Sequence, residues 1–94
     1  MIRSFANKRT ENVFLGVQDK SFPNQLLKRA RAKLDRINYA ADLRDLRIPP
    51  GNRLERLVGA REGRYSIRVS VGWRVCFIWK DGDAFEVELN NHYE

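Results

Sequence analysis

Cysteine and histidine are nearly absent from this sequence of 94 residues, which has one of each. The single Cys76 cannot form an intramolecular disulfide or a cysteine metal cluster, and this usage suits a reducing compartment. The single His92 excludes a multi-histidine metal site. The sequence also lacks a glycine-rich nucleotide-binding loop and a recognisable Ser-His-Asp or Cys-His arrangement. We therefore expect neither a metal nor another cofactor.

Long hydrophobic runs are missing as well. The opening Met1–Phe5 lacks the apolar stretch of a signal peptide, and no segment approaches membrane-spanning length. We find no internal repeat, low-complexity tract or linker. These absences predict a single domain over residues 1–94 that is cytoplasmic and makes no contact with a membrane.

Basic residues are in clear excess. The formal net charge is +6 and the sequence pI is about 10.0. A basic domain of this size favours nucleic acid or an acidic partner. Solubility alone is the plainer explanation of the same charge.

The stretch Tyr65–Leu89 alternates between apolar and polar residues, as strands with one buried face do. We predict a three-residue connection, Ser70–Gly72, in which the glycine takes the left-handed position. This register places Arg68 directly opposite Arg74 on the polar face. A third strand should pair its apolar residues with those of the second strand: Phe85, Val87 and Leu89 against Trp79, Phe77 and Val75.

Two arginines facing each other across a ladder are unfavourable, and such a pair usually implies an anion. In one interpretation Glu86 and Glu88 neutralise Arg68 and Arg74 in a surface ladder that contributes little stability. In the other, the two arginines lie in a catalytic or phosphate-binding concavity. In the second interpretation, removing Arg74 relieves the like-charge pair and should leave the protein equally or more stable. Unfolding of such a variant would instead make Arg74 a structural partner of Glu86 or Glu88.

The first half of the chain predicts helices. Asn7 can cap a helix over Lys8–Leu15 with Gly16 as its stop, and Pro23 suits the first turn of a helix that runs to about Tyr39. The second helix has apolar residues at helical spacing, and these are Leu26, Leu27, Ala30, Leu34 and Ile37.

Short strands are expected at Ile2–Phe5 and, after the break at Pro49-Pro50-Gly51, at Arg53–Val58. The order of elements then predicts an α+β fold. An N-terminal strand and two helices pack on one face of a mainly antiparallel sheet. The other face stays open and carries Arg68 and Arg74.

The second predicted helix is rich in basic residues. They form either a solvated helix face with long aliphatic stems or a rail that binds phosphates: Lys28, Arg29, Arg31, Lys33 and Arg36.

A histidine and a tyrosine stand together near the C-terminus, at His92 and Tyr93. Metal-free RNA cleavage needs a base for the 2′-hydroxyl, an acid for the leaving 5′-oxygen and a cation for the extra negative charge. Histidine titrates near neutrality, and arginine matches phosphate bidentately. The predicted register brings this terminus close to Arg74. A frayed terminus with no role is the alternative.

Several separated motifs resemble those of HigB-type toxins, members of the RelE/ParE toxin superfamily. They occur in the family's order over nearly the whole chain: Met1–Phe5, Leu43–Arg47, Pro49–Glu55, Tyr65–Val69 and Trp73–Phe77. The resemblance implies the compact α+β toxin fold and a bacterial cytosolic setting. It also implies metal-independent mRNA cleavage in the ribosomal A site.

The resemblance assigns roles as well. It implies that Arg74 serves at the scissile phosphate and that Arg68 matches a basic position of the superfamily. We further expect Arg68 and Arg53 to bind the RNA backbone and the basic helix to contact ribosomal RNA. The family's terminal Asp-Tyr-His corresponds here to Asn91, His92 and Tyr93, so the base and the acid stay unassigned. The implied partners are a helix-turn-helix antitoxin of HigA type, the ribosome with its mRNA, and operator DNA through the antitoxin complex only. A gyrase-inhibiting toxin without RNase activity and a non-catalytic nucleic-acid-binding module remain alternatives.

Overall fold

A computed structural model describes residues 1–58 and 63–91 of the chain. Within these described residues, two α-helices come first, followed by two 3₁₀ helices and four strands. The elements are α1 (Lys8–Leu15), α2 (Asn24–Tyr39), 3₁₀ helices at Leu43–Arg47 and Pro50–Asn52, β1 (Glu55–Arg56), β2 (Arg64–Ser70), β3 (Trp73–Lys80) and β4 (Asp83–Asn90). The predicted α+β class is therefore confirmed, although the sequence did not predict the two 3₁₀ helices.

Helix α1 has the predicted caps at both ends. The Asn7 side chain accepts a hydrogen bond from the Thr10 amide at 2.8 Å, which satisfies one donor of the first turn. At the other end Gly16 has φ 79°, and its N–H reaches the carbonyls of the last turn. A left-handed residue at this position is easiest for glycine, which explains why the helix stops there.

Helix α2 buries the predicted apolar stripe. Leu26, Ala30, Leu34 and Ile37 are buried, whereas Leu27 is only partly buried. These side chains meet the inner face of the sheet, whose buried members include Ile67, Val69, Val75, Phe77 and Val87. The helices thus cover one face of the sheet, as predicted. No helix in residues 1–58 or 63–91 is both long and apolar enough to cross a membrane.

The sheet is antiparallel, with the order β1-β2-β3-β4. Its central register matches the prediction, since Arg68 is the Cα partner of Arg74. The β2–β3 connection is shorter by one residue than expected. Ser70 still pairs with Trp73 after a register shift, and Gly72 has the expected left-handed φ of 76°.

The register of β4 departs from the prediction beyond its last few residues. A bulge shifts the pairing between Cys76 and Ile78, and Glu86 at φ 50° supplies the irregular backbone. Trp79 consequently faces Ala84, which is fully buried, and Phe85 moves off the apolar face that we predicted for it. A strict period of two cannot show such an extra residue.

Both predicted outer strands are reduced in the structure. Ile2 and Phe5 make isolated parallel bridges to β4, so the N-terminal segment lies beside the sheet edge without forming a ladder. The stretch predicted as a strand over Arg53–Val58 forms a ladder with β2 at Glu55 and Arg56, and beyond it the Leu57 amide donates to the Arg64 carbonyl at 2.9 Å. The residues directly before β1 form the turn that follows the second 3₁₀ helix. This turn forms one wall of a pocket on the outer face of the sheet.

Candidate functional site

Arg74 lies on the sheet face opposite the helices, and it is held in place by the protein. Its Nε donates to Ser66 Oγ at 2.8 Å, and its Nη2 donates to the main-chain carbonyls of Arg53 at 2.6 Å and Ser66 at 3.3 Å. The residue is 9% exposed. The face that we predicted as open is therefore partly closed here, because the turn at Arg53 covers the arginine.

These contacts use three of the five guanidinium N–H groups and fix the plane of the group. The two remaining N–H groups belong to Nη1, which lies 3.8 Å from Glu55 Oε1. That separation is an ion pair beyond hydrogen-bonding distance, and the Glu55 side chain is 59% exposed. Glu55 can therefore swing into solvent and leave Nη1 to another anion.

A pocket of about 500 Å³ opens beside Arg74. Arg53 and Arg68 also line it, and neither side chain has a hydrogen bond or ion pair within the described part of the chain. The full lining is Arg53, Glu55, Leu57, Ser66, Arg68, Ser70, Val71, Gly72 and Arg74. One immobile guanidinium beside two unpaired ones makes a site for a tetrahedral anion, and the fixed group can stabilise negative charge that develops during a reaction.

The neutralising ladder of glutamates is not what the structure shows. Glu86 lies 3.5 Å from Arg64, and neither Glu86 nor Glu88 pairs with Arg68 or Arg74 among residues 1–58 and 63–91. The acidic neighbour of the central pair is Glu55, which the sequence analysis did not single out.

Asn52 is a further residue that sequence reasoning missed. It is fully buried, and its Nδ2 donates to the carbonyls of Leu46 at 3.1 Å and Ile48 at 3.2 Å. Its Oδ1 accepts a hydrogen bond from Lys33 Nζ. The next residue, Arg53, has φ 45° and turns its carbonyl towards Arg74. An asparagine directly after Pro-Pro-Gly was the available signal for a side chain that organises a turn.

The predicted basic face of α2 divides into two groups. Lys33 and Arg36 hold the loop after the helix, since they donate to Asn52 and to the Ile48 carbonyl. Burial lowers the pKa of Lys33 below its usual range, and the nearby charge of Arg36 adds to that effect. The other three, Lys28, Arg29 and Arg31, are exposed.

The predicted acid and base, His92 and Tyr93, lie outside the described residues. The described part of β4 confirms the register that motivated them, because Asn90 is the Cα partner of Arg74. Among residues 1–58 and 63–91 no group of three His, Cys, Asp or Glu side chains could hold a metal ion.

The comparison with known proteins agrees with this architecture. The profile of the RelE-like HigB toxins of type II toxin–antitoxin systems matches residues 3–92. The chain belongs to the HigB-like toxin family. It is 30% identical over 93 residues to the Endoribonuclease HigB of Proteus vulgaris, and the match covers 99% of this chain and 100% of that protein.

A second relative of the HigB-like family is more similar over a shorter stretch. Toxin HigB-1 of Vibrio cholerae is 47% identical over 60 residues, which cover 64% of this chain and 63% of that toxin. The chain thus spans just under two thirds of this relative's length. Membership of a type II toxin–antitoxin family implies an antitoxin partner.

Proposed function

We propose that this protein is an endoribonuclease that inhibits translation by cutting mRNA in the ribosomal A site. The observation that carries the proposal is the immobilised Arg74 in a pocket with two further arginines. The name of the Proteus vulgaris relative, Endoribonuclease HigB, supports RNA as the substrate class.

In the proposed reaction the 2′-hydroxyl of the substrate attacks the adjacent phosphorus and the bond to the 5′-oxygen breaks. The products are a 2′,3′-cyclic phosphate and a 5′-hydroxyl, and no external reductant or oxidant is needed. Nη1 of Arg74 donates to a phosphate oxygen after displacing Glu55, and it stabilises the extra negative charge of the transition state. Arg53 and Arg68 bind the backbone around the scissile phosphate.

A base must take the 2′-hydroxyl proton and an acid must give one to the leaving oxygen. We propose that His92 and Tyr93 fill these two roles, and we do not specify which of them is the base and which is the acid. The support is their place in the chain, two and three residues after Asn90, which pairs with Arg74.

We assign the contacts with the ribosome to two exposed basic residues of α2, Lys28 and Arg31. Lys28 and Arg31 have no ion pair within residues 1–58 and 63–91, and they offer a sequence-independent electrostatic contact to ribosomal RNA. In this proposal the toxin acts in the cytoplasm. A helix-turn-helix antitoxin of HigA type silences it, and the pair reaches operator DNA through the antitoxin.

Toeprinting of translating ribosomes, with a gyrase supercoiling assay in parallel, tests this function. We expect new toeprints within the A-site codon on adding the purified toxin, and no change in supercoiling. Inhibited supercoiling with intact mRNA would show instead a gyrase-directed toxin on the same fold. Neither effect, together with nucleic-acid binding, would favour the non-catalytic module.

A further inference from the structure

The arginine pocket continues around the tip of the β2–β3 hairpin. Ser70 and Val71 line the pocket that holds Arg74, and the same two residues line a groove on the other side of the turn. The remaining walls of this groove come from helix α2 and from the start of β3. The groove lining is Pro23, Gln25, Leu26, Arg29, Ser70, Val71 and Trp73. A single-stranded RNA that leaves the arginine pocket by passing over Val71 therefore enters this second groove directly.

The second groove combines one cation with apolar surface. Arg29 is exposed, and it makes no hydrogen bond or ion pair within the part of the chain that the structure describes. Val71 is 83% exposed, although a valine at the tip of a hairpin gains nothing from contact with water. Trp73 is partly buried and is fixed by Phe22, with ring centroids 5.3 Å apart and planes at 89°.

We propose that this groove binds the nucleotide that adjoins the cleavage site. The RNA backbone crosses the hairpin tip at Val71, Arg29 takes the next phosphate, and the base rests on the apolar surface of Val71 and Trp73. The inference rests on the proposed function and adds a second RNA subsite to it. Arg29 is thereby a binding and positioning residue, distinct from Lys28 and Arg31 on the other side of the helix.

Single-stranded RNA fits this groove for two physical reasons. Proteins bind single strands with a basic groove that follows the backbone and aromatic or apolar surfaces against which bases lie. Here the cations stand on both sides of one apolar crest, with Arg53 and Arg68 before Val71 and Arg29 after it. An acidic peptide could bind the same cations. It has no backbone phosphates, however, so it gives no reason for cations placed at consecutive phosphate positions.

The test pairs a protein change with a removal of charge from the RNA. Ribosomes are programmed with messages in which one linkage near the cut is a neutral methylphosphonate, placed after a 2′-deoxy nucleotide for chemical stability. Messages with the 2′-deoxy nucleotide alone are the RNA control. The toxin concentration for half-maximal cleavage is measured for wild type, Arg29→Gln and Arg47→Gln. Arg47 is an exposed arginine outside every groove described above, and its change removes the same charge.

Arg29→Gln should raise the half-maximal concentration about three- to tenfold, with the saturated rate nearly unchanged. At one linkage adjoining the cut, methylphosphonate should impair wild type and Arg47→Gln but add nothing to Arg29→Gln. Additive losses at every linkage would overturn the proposal while leaving the nuclease function intact. Absence of cleavage of the unmodified message by wild type would remove the function itself.

A change at the crest gives an independent measurement. Val71→Glu places a negative charge where the backbone should cross, and it should raise the half-maximal concentration at least as much as Arg29→Gln. Tyr39→Glu is the control, since Tyr39 is as exposed as Val71 and lines neither of the two RNA grooves nor the surface of Lys28 and Arg31. Equal effects of the Val71 and Tyr39 changes would contradict the proposed path.

Discussion

Nη2 of Arg74 donates to the main-chain carbonyl of Arg53 across 2.6 Å. This bond joins the central strand to the turn that forms one wall of the pocket. Arg74 therefore has a structural role as well as the proposed catalytic one. The sequence alone predicted that removing Arg74 would relieve a like-charge pair and leave stability equal or higher. The structure reverses that expectation, because Arg74 is buried and its removal breaks hydrogen bonds to Ser66 and to the Arg53 carbonyl.

The buried amide of Asn52 should control both stability and activity. Asn52→Ala removes the Nδ2 donor to the Leu46 carbonyl and one of the two donors to the Ile48 carbonyl, and it takes from Lys33 its acceptor. We expect a loss of about 1–3 kcal/mol in the free energy of unfolding, and a lower cleavage rate because the Arg53 turn loses its support. Thermal unfolding and toeprint cleavage measure the two effects. The exposed Asn24→Ala is the control, and an equal fall in melting temperature for both variants would refute the proposed role.

Arg68 should contribute to substrate binding more than to the chemical step. Its side chain lines the pocket without a partner among the described residues, so we assign it to the phosphate of the ground state. Arg68→Ala should raise the ribosome concentration for half-maximal cleavage and change the saturated single-turnover rate little. Arg56→Ala, on exposed β1, is the charge-matched control. A collapse of the saturated rate at unchanged affinity would instead place Arg68 in the catalytic role.

His92 should titrate in the pH dependence of cleavage. His92→Gln is expected to lower the rate strongly, because the family resemblance and the ordinary pKa of histidine make it the candidate base or acid. A pH–rate profile of both proteins is the measurement, and the wild-type inflection near neutrality should vanish in the variant. Wild-type cleavage by a chain that lacks residues 92–94 would place the acid and base elsewhere.

Asp83 should stabilise the protein near neutral pH and lose that effect in acid. Partial burial by itself raises the pKa of Asp83, but the hydrogen bonds and charges of Arg3 and the N-terminal amine lower it below the usual value. A lowered folded-state pKa contributes stability above the unfolded pKa of about 3.9, and the contribution disappears as pH falls through the folded value. Asp83→Asn should therefore lower the melting temperature at pH 7 and much less in strong acid. The exposed neighbour Asp81→Asn is the control, and a constant difference across this pH range would contradict the ion-pair explanation.

The fold was largely predictable because its signals are local. Asn7 and Gly16 bound α1, and the alternation from Tyr65 to Val75 gives the central register. The β4 bulge was not predictable, since Glu86 carries no sequence mark of its left-handed backbone. The same holds for β1, where pairing depends on how the preceding turn meets the sheet.

The sequence predicted the arginines of the candidate site, but it did not predict the groups that orient them. Arg68 and Arg74 followed from strand periodicity, and the structure confirms that they face each other. Arg74's partners, the Ser66 hydroxyl and the Arg53 carbonyl, depend on a non-local turn and on a carbonyl that every residue possesses. Helical spacing likewise could not predict that Lys33 donates a hydrogen bond to the buried Asn52.

The most direct test of the account is the rate at which Arg74→Ala cuts mRNA on saturating programmed ribosomes, measured on protein that is folded at the assay temperature. Loss of a fixed donor to developing negative charge predicts a fall of about 10²–10³ in that rate. The melting temperature should also fall, and Arg74→Lys should recover little, since a point charge cannot keep the bonds to Ser66 and Arg53. Cleavage by Arg74→Ala at the wild-type rate would contradict the account.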